Sequence, residues 1–335
     1  MKIITLITSR KYDAGPKAPR DIETILSKKY KLEKDTLYVK KDTFFEKINF
    51  AFGIVKTILK NIGYKDVLFI QYPFTNKSDI LLKFLPTKKT IVIIHDITFL
   101  RLQDDKKMHK EINTLKRYKY IVVHNSKMKK LLEENGIDAN KMYELELFDY
   151  LCKNPKTVKL ENRTDKTVVY AGNLVQRKSP FIYQLEETKM NFNLNLYGVG
   201  LENDIRKKII YKGKYLPDEL PNHLDGSLGL VWDGKMDESD ENESFKNYTK
   251  YNNPHKLSCY IAAGLPVIVW DKAAVSKFVK ENNIGYTINN IYDINKIDLK
   301  DYEEKLKNVI NIRKKVLNGE YTKNVIEKIL KDMGE

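Results

Sequence analysis

The chain has 335 residues, 42% of them hydrophobic and 31% charged, with a formal net charge of +15. This length suits two domains of moderate size, and the composition excludes a disordered or fibrous chain. The basic residues occur as scattered pairs without an aromatic-interleaved arm, so no nucleic-acid-binding module is indicated. A solvated lysine-rich surface is the simplest interpretation. Attraction to anionic nucleotide-sugars or to an anionic membrane face is the functional alternative.

The two cysteines and the N-terminus bear on location. Cys152 and Cys259 do not form a CxxC pair, so neither a zinc site nor a disulfide framework is indicated. The apolar run at residues 3–7 is too short for a secretory signal. No stretch approaches the ~20 apolar residues of a membrane span. We therefore expect a cytoplasmic protein.

The first half of the chain alternates strand and helix patterns. Residues 125–137 read as a helix that ends at Gly136. The strand candidates are residues 3–8, 67–72, 90–95, 120–124 and 142–148.

Residues 44–60 form an amphipathic helical pattern. Their apolar stripe consists of Ile48, Phe52, Val55 and Leu59. We expect this stripe to face the core, because it continues the α/β pattern. The alternative is peripheral contact with a membrane, since Lys47, Lys56 and Lys60 flank the stripe.

A polar stretch divides the chain. Residues 152–166 are charged and aperiodic and contain Pro155, which is typical of an interdomain linker. The alternation then restarts, with strands predicted at 167–170, 194–197, 209–211, 228–232, 267–270 and 286–288. Helices are predicted at 181–188, 217–224, 254–263 and 275–282, and residues 299–333 are helical in pattern. Two successive βαβ arrays predict an α/β fold with two doubly wound sheets.

The most informative segment is residues 251–270, YNNPHKLSCYIAAGLPVIVW. Asn253 fits the N-cap of a helix, Pro254 fits its first position, and Gly264 ends it before a short buried strand. The amide groups at such a helix start attract phosphate, and Lys256 in the first turn adds a cation. The alternative is an ordinary α/β unit with a surface lysine.

This segment also carries a resemblance to a family. N-x-P-x-K followed by A-A-G-x-P-V-I resembles the donor-binding helix of GT-B glycosyltransferases. The match is strongest to bacterial glucosyltransferases of serine-rich-repeat adhesin glycosylation and the related β-1,6-galactofuranosyltransferases. Further matching pieces, in chain order, are His95-Asp96-Ile97 with Leu100-Arg101, Phe148-Asp149-Tyr150, Tyr170-Ala171-Gly172-Asn173-Leu174 and Gly229-Leu230-Val231-Trp232-Asp233-Gly234.

The resemblance implies the organisation of the molecule. It implies a GT-B fold, in which two Rossmann-like domains face each other across a cleft. The expected parts are an acceptor-side domain at 1–151, the linker at 152–166, a nucleotide-sugar domain at 167–298, and terminal helices at 299–335 that cross back to the first domain.

The resemblance also implies site residues. Arg177 is the favoured phosphate ligand, because its planar guanidinium can make two hydrogen bonds to phosphate. A glutamate found on the donor helix of many GT-B enzymes is replaced here by Cys259, which puts a ribose contact through that position in doubt. The implied donor-binding set is Gly15, Asn173, Arg177, Lys178, Tyr211, Asp233, Tyr248, Tyr251, Asn252, Asn253 and Lys256.

On the acceptor side, His95 and Asp96 end an apolar strand. An inverting transferase needs a base to take the acceptor proton, and either residue could serve. A histidine satisfied by the backbone is an equal alternative for His95. Arg101 is expected to recognise the acceptor or the donor phosphates.

Two other site types are disfavoured. The acidic run 237–241 lacks the spacing and the glycine of an EF-hand, and GT-B transferases generally need no metal, so we expect no cofactor. Gly198 and Gly200 begin a dinucleotide-binding pattern, but Asn203 replaces its third glycine, which argues against a dehydrogenase.

The predicted function is transfer of a hexose from a UDP-sugar to a sugar hydroxyl, and glucose is the favoured hexose. The expected acceptor is N-acetylglucosamine on a glycosylated serine-rich adhesin, and the resembled enzymes imply a homo-oligomer. One alternative is a galactofuranosyltransferase that acts on a lipid-linked surface glycan. The other is a non-catalytic, glycosyltransferase-like partner subunit.

Overall fold

A computed structural model describes residues 1–8, 15–39, 44–73, 79–102, 105–161, 164–202, 207–236 and 244–335. The chain divides into two compact units. One unit comprises Met1–Leu147 together with Tyr321–Glu335, and the other comprises Phe148–Glu320.

The first unit is a parallel α/β sheet, as the sequence predicts. In the described residues its strand order is β2-β1-β3-β4-β5-β6. Strand β2 is added on one side of β1 and the later strands on the other, so the strand order reverses between β1 and β3. Its elements are β1 (Lys2–Thr8), α1 (Lys17–Lys29), β2 (Glu33–Val39), α2 (Phe44–Asn61), β3 (Leu68–Tyr72), α3 (Asp79–Phe84), β4 (Thr90–Ile94), α4 (Thr98–Leu102), α5 (Asp105–Leu115), β5 (Tyr120–Val123), α6 (Ser126–Glu134) and β6 (Met142–Glu144).

The central strands of this sheet are buried along their whole length. All residues of β3, β4 and β5 are buried, as expected for parallel strands covered by helices on both faces. The edge strand β2 was not predicted, because its charged sequence EKDTLYV lacks the apolar run of a central strand.

The prediction that the stripe of α2 faces the core is wrong. Phe52, Val55 and Leu59 are exposed, and Ile48 is at the limit of exposure. The helix instead packs Ile54 and Ile58 against the core. Apolar residues occupy two faces of α2, so the periodicity alone could not say which face would be buried.

The second unit is also a doubly wound parallel sheet. Its order is β12-β11-β10-β7-β8-β9. The strand order reverses between β7 and β10, and this point is called the sheet reversal below. Its elements are β7 (Thr167–Asn173), α7 (Pro180–Gln184), β8 (Asn193–Val199), β9 (Ile209–Tyr211), β10 (Leu228–Val231), α8 (Ser244–Thr249), α9 (His255–Ala263), β11 (Val267–Trp270), α10 (Val275–Glu281), β12 (Gly285–Ile288) and α11 (Tyr302–Asn318).

Several predicted helices differ from those observed. The segment 181–188 divides into α7 and a 3-10 turn at Glu187–Lys189. The segment 217–224 holds only a 3-10 turn at Leu220–Asn222, because Pro221 cannot continue an α-helix interior. The described residues contain no helix long and apolar enough to span a bilayer.

The termini of α9 bear on the site. Gly264 adopts φ 82° and ends the helix in the left-handed conformation, as predicted. Its start lies one residue later than predicted. Pro254, with ψ 128°, is extended and takes the N-cap position expected for Asn253, and it provides no side-chain cap.

The C-terminal helical pattern contains two helices. Gly319, at φ 73°, ends α11, and α12 (Glu320–Met333) follows. Residues Tyr321–Glu335 belong to the same unit as Met1–Leu147, where the Tyr143 hydroxyl donates to Asp332 at 2.9 Å.

His124 predicts a pH-dependent stability. Burial lowers the pKa of this imidazole to about 4, although its hydrogen bond to the Ile94 carbonyl, at 3.0 Å, acts in the opposite direction. Between about pH 6.5 and 4 the unfolded chain therefore binds more protons, and stability falls as the pH falls.

We expect His124→Gln, which keeps a donor and removes the titration, to lose less stability between pH 7 and pH 5. The difference from the native protein should be about 2 kcal/mol. Urea unfolding midpoints of both proteins at the two pH values measure it. An equal loss in both would contradict this role of His124.

Candidate active site

Helix α9 lies close against the sheet of the second unit because Gly229 leaves room for it. A Cβ built on Gly229 would lie 2.4 Å from the Tyr260 ring, so only glycine permits this approach. The Tyr260 hydroxyl accepts a hydrogen bond from the Ala171 amide of β7 at 2.8 Å. These contacts fix the start of α9 relative to β7 and β10.

The segment Phe148-Asp149-Tyr150 supports the same helix. The Ser258 hydroxyl donates to the Phe148 carbonyl at 2.6 Å, and His255 Nε2 donates to the Asp149 carbonyl at 3.2 Å. The Tyr150 ring stacks on His255 with a centroid separation of 4.8 Å. This segment, which the resemblance singled out, therefore positions the N-terminus of α9.

The Lys256 ammonium lies at the point where the second sheet reverses direction. Its Nζ donates to Asp233 Oδ1 at 2.6 Å, to the Trp232 carbonyl at 3.0 Å and to the Tyr170 hydroxyl at 3.1 Å. Tyr170 belongs to β7, whereas Trp232 and Asp233 follow β10. In open α/β sheets, ligands bind at such a reversal, beyond the carboxyl ends of the strands.

The electrostatics keep Lys256 charged. Burial by itself lowers the pKa of the amine, but the Asp233 carboxylate and Tyr170 raise it above its usual range. The same ammonium lies 4.6 Å from the centre of the Tyr170 ring. A permanent positive charge therefore stands at the sheet reversal.

A chain of hydrogen bonds leads from Lys256 into the loop after β7. Ser179 Oγ donates to the Asn173 carbonyl at 2.7 Å, and its oxygen lies 2.6 Å from the Tyr170 hydroxyl. Because a carbonyl can only accept, Tyr170 donates to Ser179 and is left to accept from Lys256. The position of the cation and the shape of the loop are thus coupled.

The side chain of Asn173 shapes this loop. Its Oδ1 accepts from the Val175 amide at 3.0 Å, which forms an Asx turn. The Lys178 carbonyl accepts from the Gly234 amide at 3.2 Å, so the loops after β7 and β10 touch. Arg177 is exposed in the same loop. Asn173, Lys178, Asp233 and Lys256 therefore lie together.

Two glycines allow close packing beneath the site. A Cβ on Gly172 would lie 3.0 Å from Lys256 Cε. One on Gly198, which adopts φ 138°, would lie 1.9 Å from the Gly172 carbonyl oxygen. Gly198 thus serves the packing of β8 against β7 in this fold.

A pocket opens beside Asp233 at the carboxyl ends of β10 and β11. It lies between the strand ends and the segment that leads into α9. Its lining residues are Val231, Trp232, Asp233, Thr249, Pro254, Trp270 and Ala273.

The other predicted donor residues occupy different places. Tyr248 belongs to α8, and its carbonyl accepts from the Tyr251 and Asn252 amides at 3.1 and 3.2 Å, which forms the turn before α9. Asn253 is buried next to that helix. Tyr211 lies on the far strand β9, where its hydroxyl donates to the Gly198 carbonyl at 2.8 Å. The structure does not bring Tyr211 into contact with Lys256.

The predicted acceptor residues lie in the first unit. His95 and Asp96 directly follow β4, and Arg101 lies in α4. Gly15 is exposed before α1. The acidic run 237–241 lies outside the described residues. In the residues that are described, no group of three or more His, Cys, Asp or Glu side chains could hold a metal ion.

A buried glutamine orients His95. Gln71 Nε2 donates to Thr5 Oγ1 and to the Pro19 carbonyl, both at 2.9 Å. Its amide orientation is fixed by the Pro19 carbonyl, so Gln71 Oε1 accepts from His95 Nε2 at 2.8 Å. In its neutral form this ring then carries its lone pair on Nδ1.

Comparisons with known proteins identify the family. The profile "Glucosyltransferase 3-like, N-terminal domain" matches residues 1–147, and the C-terminal domain profile matches residues 168–329. The fold and the site define a GT-B glycosyltransferase. More particularly, the chain belongs to the glucosyltransferase 3-like family.

Relatives and solved structures support this assignment. The chain is 31% identical to β-1,6-galactofuranosyltransferase WbbI of Escherichia coli K12 over 288 residues, and this alignment covers 83% of each protein. It is 24% identical to glucosyltransferase 3 of Streptococcus gordonii over 80% of each. Anabaena HepE in complex with UDP and glucose shares the fold, with a TM-score of 0.58 at 12% identity over 100% of this chain and 99% of that one.

Several residues of the site escaped sequence analysis as individuals. Tyr170, Ser179 and Tyr260 hold Lys256 and α9, and Gln71 with Thr5 orients His95. The sequence signals were slight: a tyrosine before a glycine in a strand, and a polar residue within an apolar strand.

The packing of α9 predicts a severe effect of Gly229→Ala. The added methyl group must displace the Tyr260 ring, which costs about 1–3 kcal/mol of stability in an overpacked core. Gly63→Ala is the matched control, because nothing lies within 4 Å of a Cβ built on Gly63 and its φ is not positive. Urea unfolding compares the two variants, and equal stability would show that α9 tolerates displacement.

Proposed function

We propose that this glycosyltransferase transfers a hexose from a UDP-sugar to a hydroxyl of a glycan acceptor. The observation that carries the proposal is the Lys256 cation, which belongs to the first turn of α9 and lies at the sheet reversal. A diphosphate leaving group carries the complementary charge. The similar fold of Anabaena HepE, whose crystal structure contains UDP, supports the choice of nucleotide.

In the structure the Lys256 ammonium already has three acceptors. A diphosphate must therefore replace one of them, and Asp233 is the one with a rotatable, partly buried carboxylate. We propose that UDP displaces Asp233 from Lys256, and that the released carboxylate then faces the donor sugar. Arg177 and Lys178 in the adjacent loop add further positive charge for the same diphosphate.

This exchange predicts opposite effects for the two partners. Lys256→Met keeps the stem but removes the charge, and should weaken UDP binding about 10- to 100-fold. Asp233→Asn removes the competing charge and should tighten binding of UDP by a few-fold, on the order of 1 kcal/mol. Isothermal titration measures both.

Lys277→Met is the control for loss of a lysine, because Lys277 is exposed and pairs with Glu281 of its own helix. It should bind UDP like the native protein. Unchanged affinity in Lys256→Met, or weaker affinity for UDP in Asp233→Asn, would contradict the exchange.

Two donor sugars are candidates. The sequence prediction names UDP-glucose, with N-acetylglucosamine on a glycosylated serine-rich adhesin as the acceptor, and the likeness to glucosyltransferase 3 supports it. The higher identity to a β-1,6-galactofuranosyltransferase favours UDP-galactofuranose. The cytoplasmic location, the homo-oligomer and independence from metal stay predictions.

A donor panel separates these candidates. Thermal unfolding with UDP-glucose, UDP-galactose and UDP-galactofuranose should show the largest stabilisation for the true donor, because a ligand that binds only the native state raises its stability. Slow release of UDP from that donor should accompany it. Stabilisation by none of the three would contradict a UDP-hexose donor.

On the acceptor side, we propose His95 as the base that takes the proton of the acceptor hydroxyl. Gln71 acts as a positioning residue, since it holds the imidazole ring through Nε2. Base catalysis by a positioned imidazole contributes about 10²- to 10⁴-fold.

We therefore expect Gln71→Leu to lower kcat more than tenfold, because the His95 ring loses the hydrogen bond that orients it. The KM for the donor should change little. Thr5→Val is the control, because it removes a partner of Gln71 and leaves the Gln71–His95 bond in place. If Gln71→Leu changes only stability, or if both variants lose kcat equally, His95 does not depend on Gln71 for its role.

A further inference from the structure

An apolar stripe runs along the outer face of α2 and continues to the residue directly after the helix. Its members recur at alternating intervals of three and four residues, which places them on one face. They are Phe45, Ile48, Phe52, Val55, Leu59 and Ile62, with exposed fractions of 76%, 36%, 70%, 52%, 71% and 53%.

This outer stripe is separate from the contact that α2 makes with its own unit. Ile54 and Ile58 pack against the core, and Thr57 and Asn61 are buried on that inner side. Amphipathicity explains one apolar face of a surface helix, but α2 has two. A run of large exposed side chains on a folded protein marks an interaction surface.

Basic residues accompany the stripe. Lys56 is exposed on α2 itself, and Lys65 is exposed shortly after it. The short helix α3 packs against α2 and exposes Phe84 at 49% next to the exposed Lys83. The exposed lysines outnumber the acidic side chains at the same places, which are Glu46 in the first turn of α2 and Asp66 next to Lys65. The formal net charge of the chain is +15.

The charge decides between two occupants. In a twofold pair a second copy would present the same face, with the same lysines and the same net positive charge. An anionic bilayer presents the opposite charge together with an apolar interior. Large apolar side chains flanked by lysines on one helix face are the pattern of a helix that lies in the membrane interface.

We propose that α2 docks the protein on an anionic membrane surface, with the helix axis in the plane of the bilayer. Its 18 residues span about 27 Å. Phe45, Phe52 and Leu59 enter the boundary between headgroups and acyl chains, while Lys56 and Lys83 contact lipid phosphates. The proposal goes beyond the hexosyl transfer, and it brings the enzyme to acceptors held at a membrane.

Sedimentation with vesicles tests the proposal on the full chain. Phosphatidylcholine vesicles with and without phosphatidylglycerol are the probes, and the fraction of pelleted protein is the readout. The native protein should bind the anionic vesicles in preference to the neutral ones. Phe52→Ser combined with Leu59→Ser should weaken that binding at least about tenfold, because both side chains leave the apolar phase.

Two further variants separate the contributions. Lys56→Glu should weaken binding to anionic vesicles at least about fivefold and leave binding to neutral vesicles unchanged. Leu160→Ser is the matched control, since Leu160 is an exposed leucine of the other unit, at 49%. It should bind like the native protein. Substitutions at exposed positions are expected to leave the thermal unfolding midpoint unchanged.

Three results would overturn the proposal. The first is no binding of the native protein to anionic vesicles, and the second is full binding by the double variant. The third is a native dimer in sedimentation velocity that the double variant converts to a monomer without any vesicle binding, which would assign the stripe to a second copy. None of these readouts depends on UDP binding or sugar transfer, so they test the docking surface separately from the proposed activity.

Discussion

The second unit is organised around a partly buried ion pair, Lys256 with Asp233. The ammonium donates to the Tyr170 hydroxyl of β7 and to the carbonyl of Trp232, which directly follows β10, and it pairs with the Asp233 carboxylate at 2.6 Å. Removing one partner of such a pair leaves an uncompensated charge, which is why the arrangement constrains its surroundings. The helix start, the loop after β7 and the loop after β10 all have to meet at this cation.

The pair also links stability to function. A cation already neutralised by Asp233 is kept charged and oriented before any ligand arrives. The ammonium itself therefore needs little reorganisation when a diphosphate takes the place of the carboxylate. Hydrogen bonds from Tyr170 to Ser179 and from Ser179 to Asn173 connect the cation to the loop that contains Arg177. Gly229 packs closely against Tyr260, and Gly172 packs closely against Lys256. These contacts fix the position of the cation relative to the sheet.

The sequence predicted the fold well where local signals were strong. The apolar run of β11 and the positive φ of Gly264 follow from residue type, and both were predicted. The edge strand β2 was missed, because one exposed side allows it a charged sequence. The buried face of α2 was wrong, because the helix has two apolar faces and only tertiary packing selects between them.

The candidate site was predictable in part. Lys256 and Asp233 were each singled out, but their pairing depends on the register of β7 and β10 and on the seating of α9, which no local pattern encodes. For the same reason Gln71 could not be recognised as the partner of His95, since the two residues come together only when β3 and β4 pair.

The most direct test of the central claim is a crystal structure of the protein with bound UDP. The account predicts a phosphate oxygen within about 3 Å of Lys256 Nζ and Asp233 turned away from it. UDP bound with the Lys256–Asp233 pair intact would contradict it.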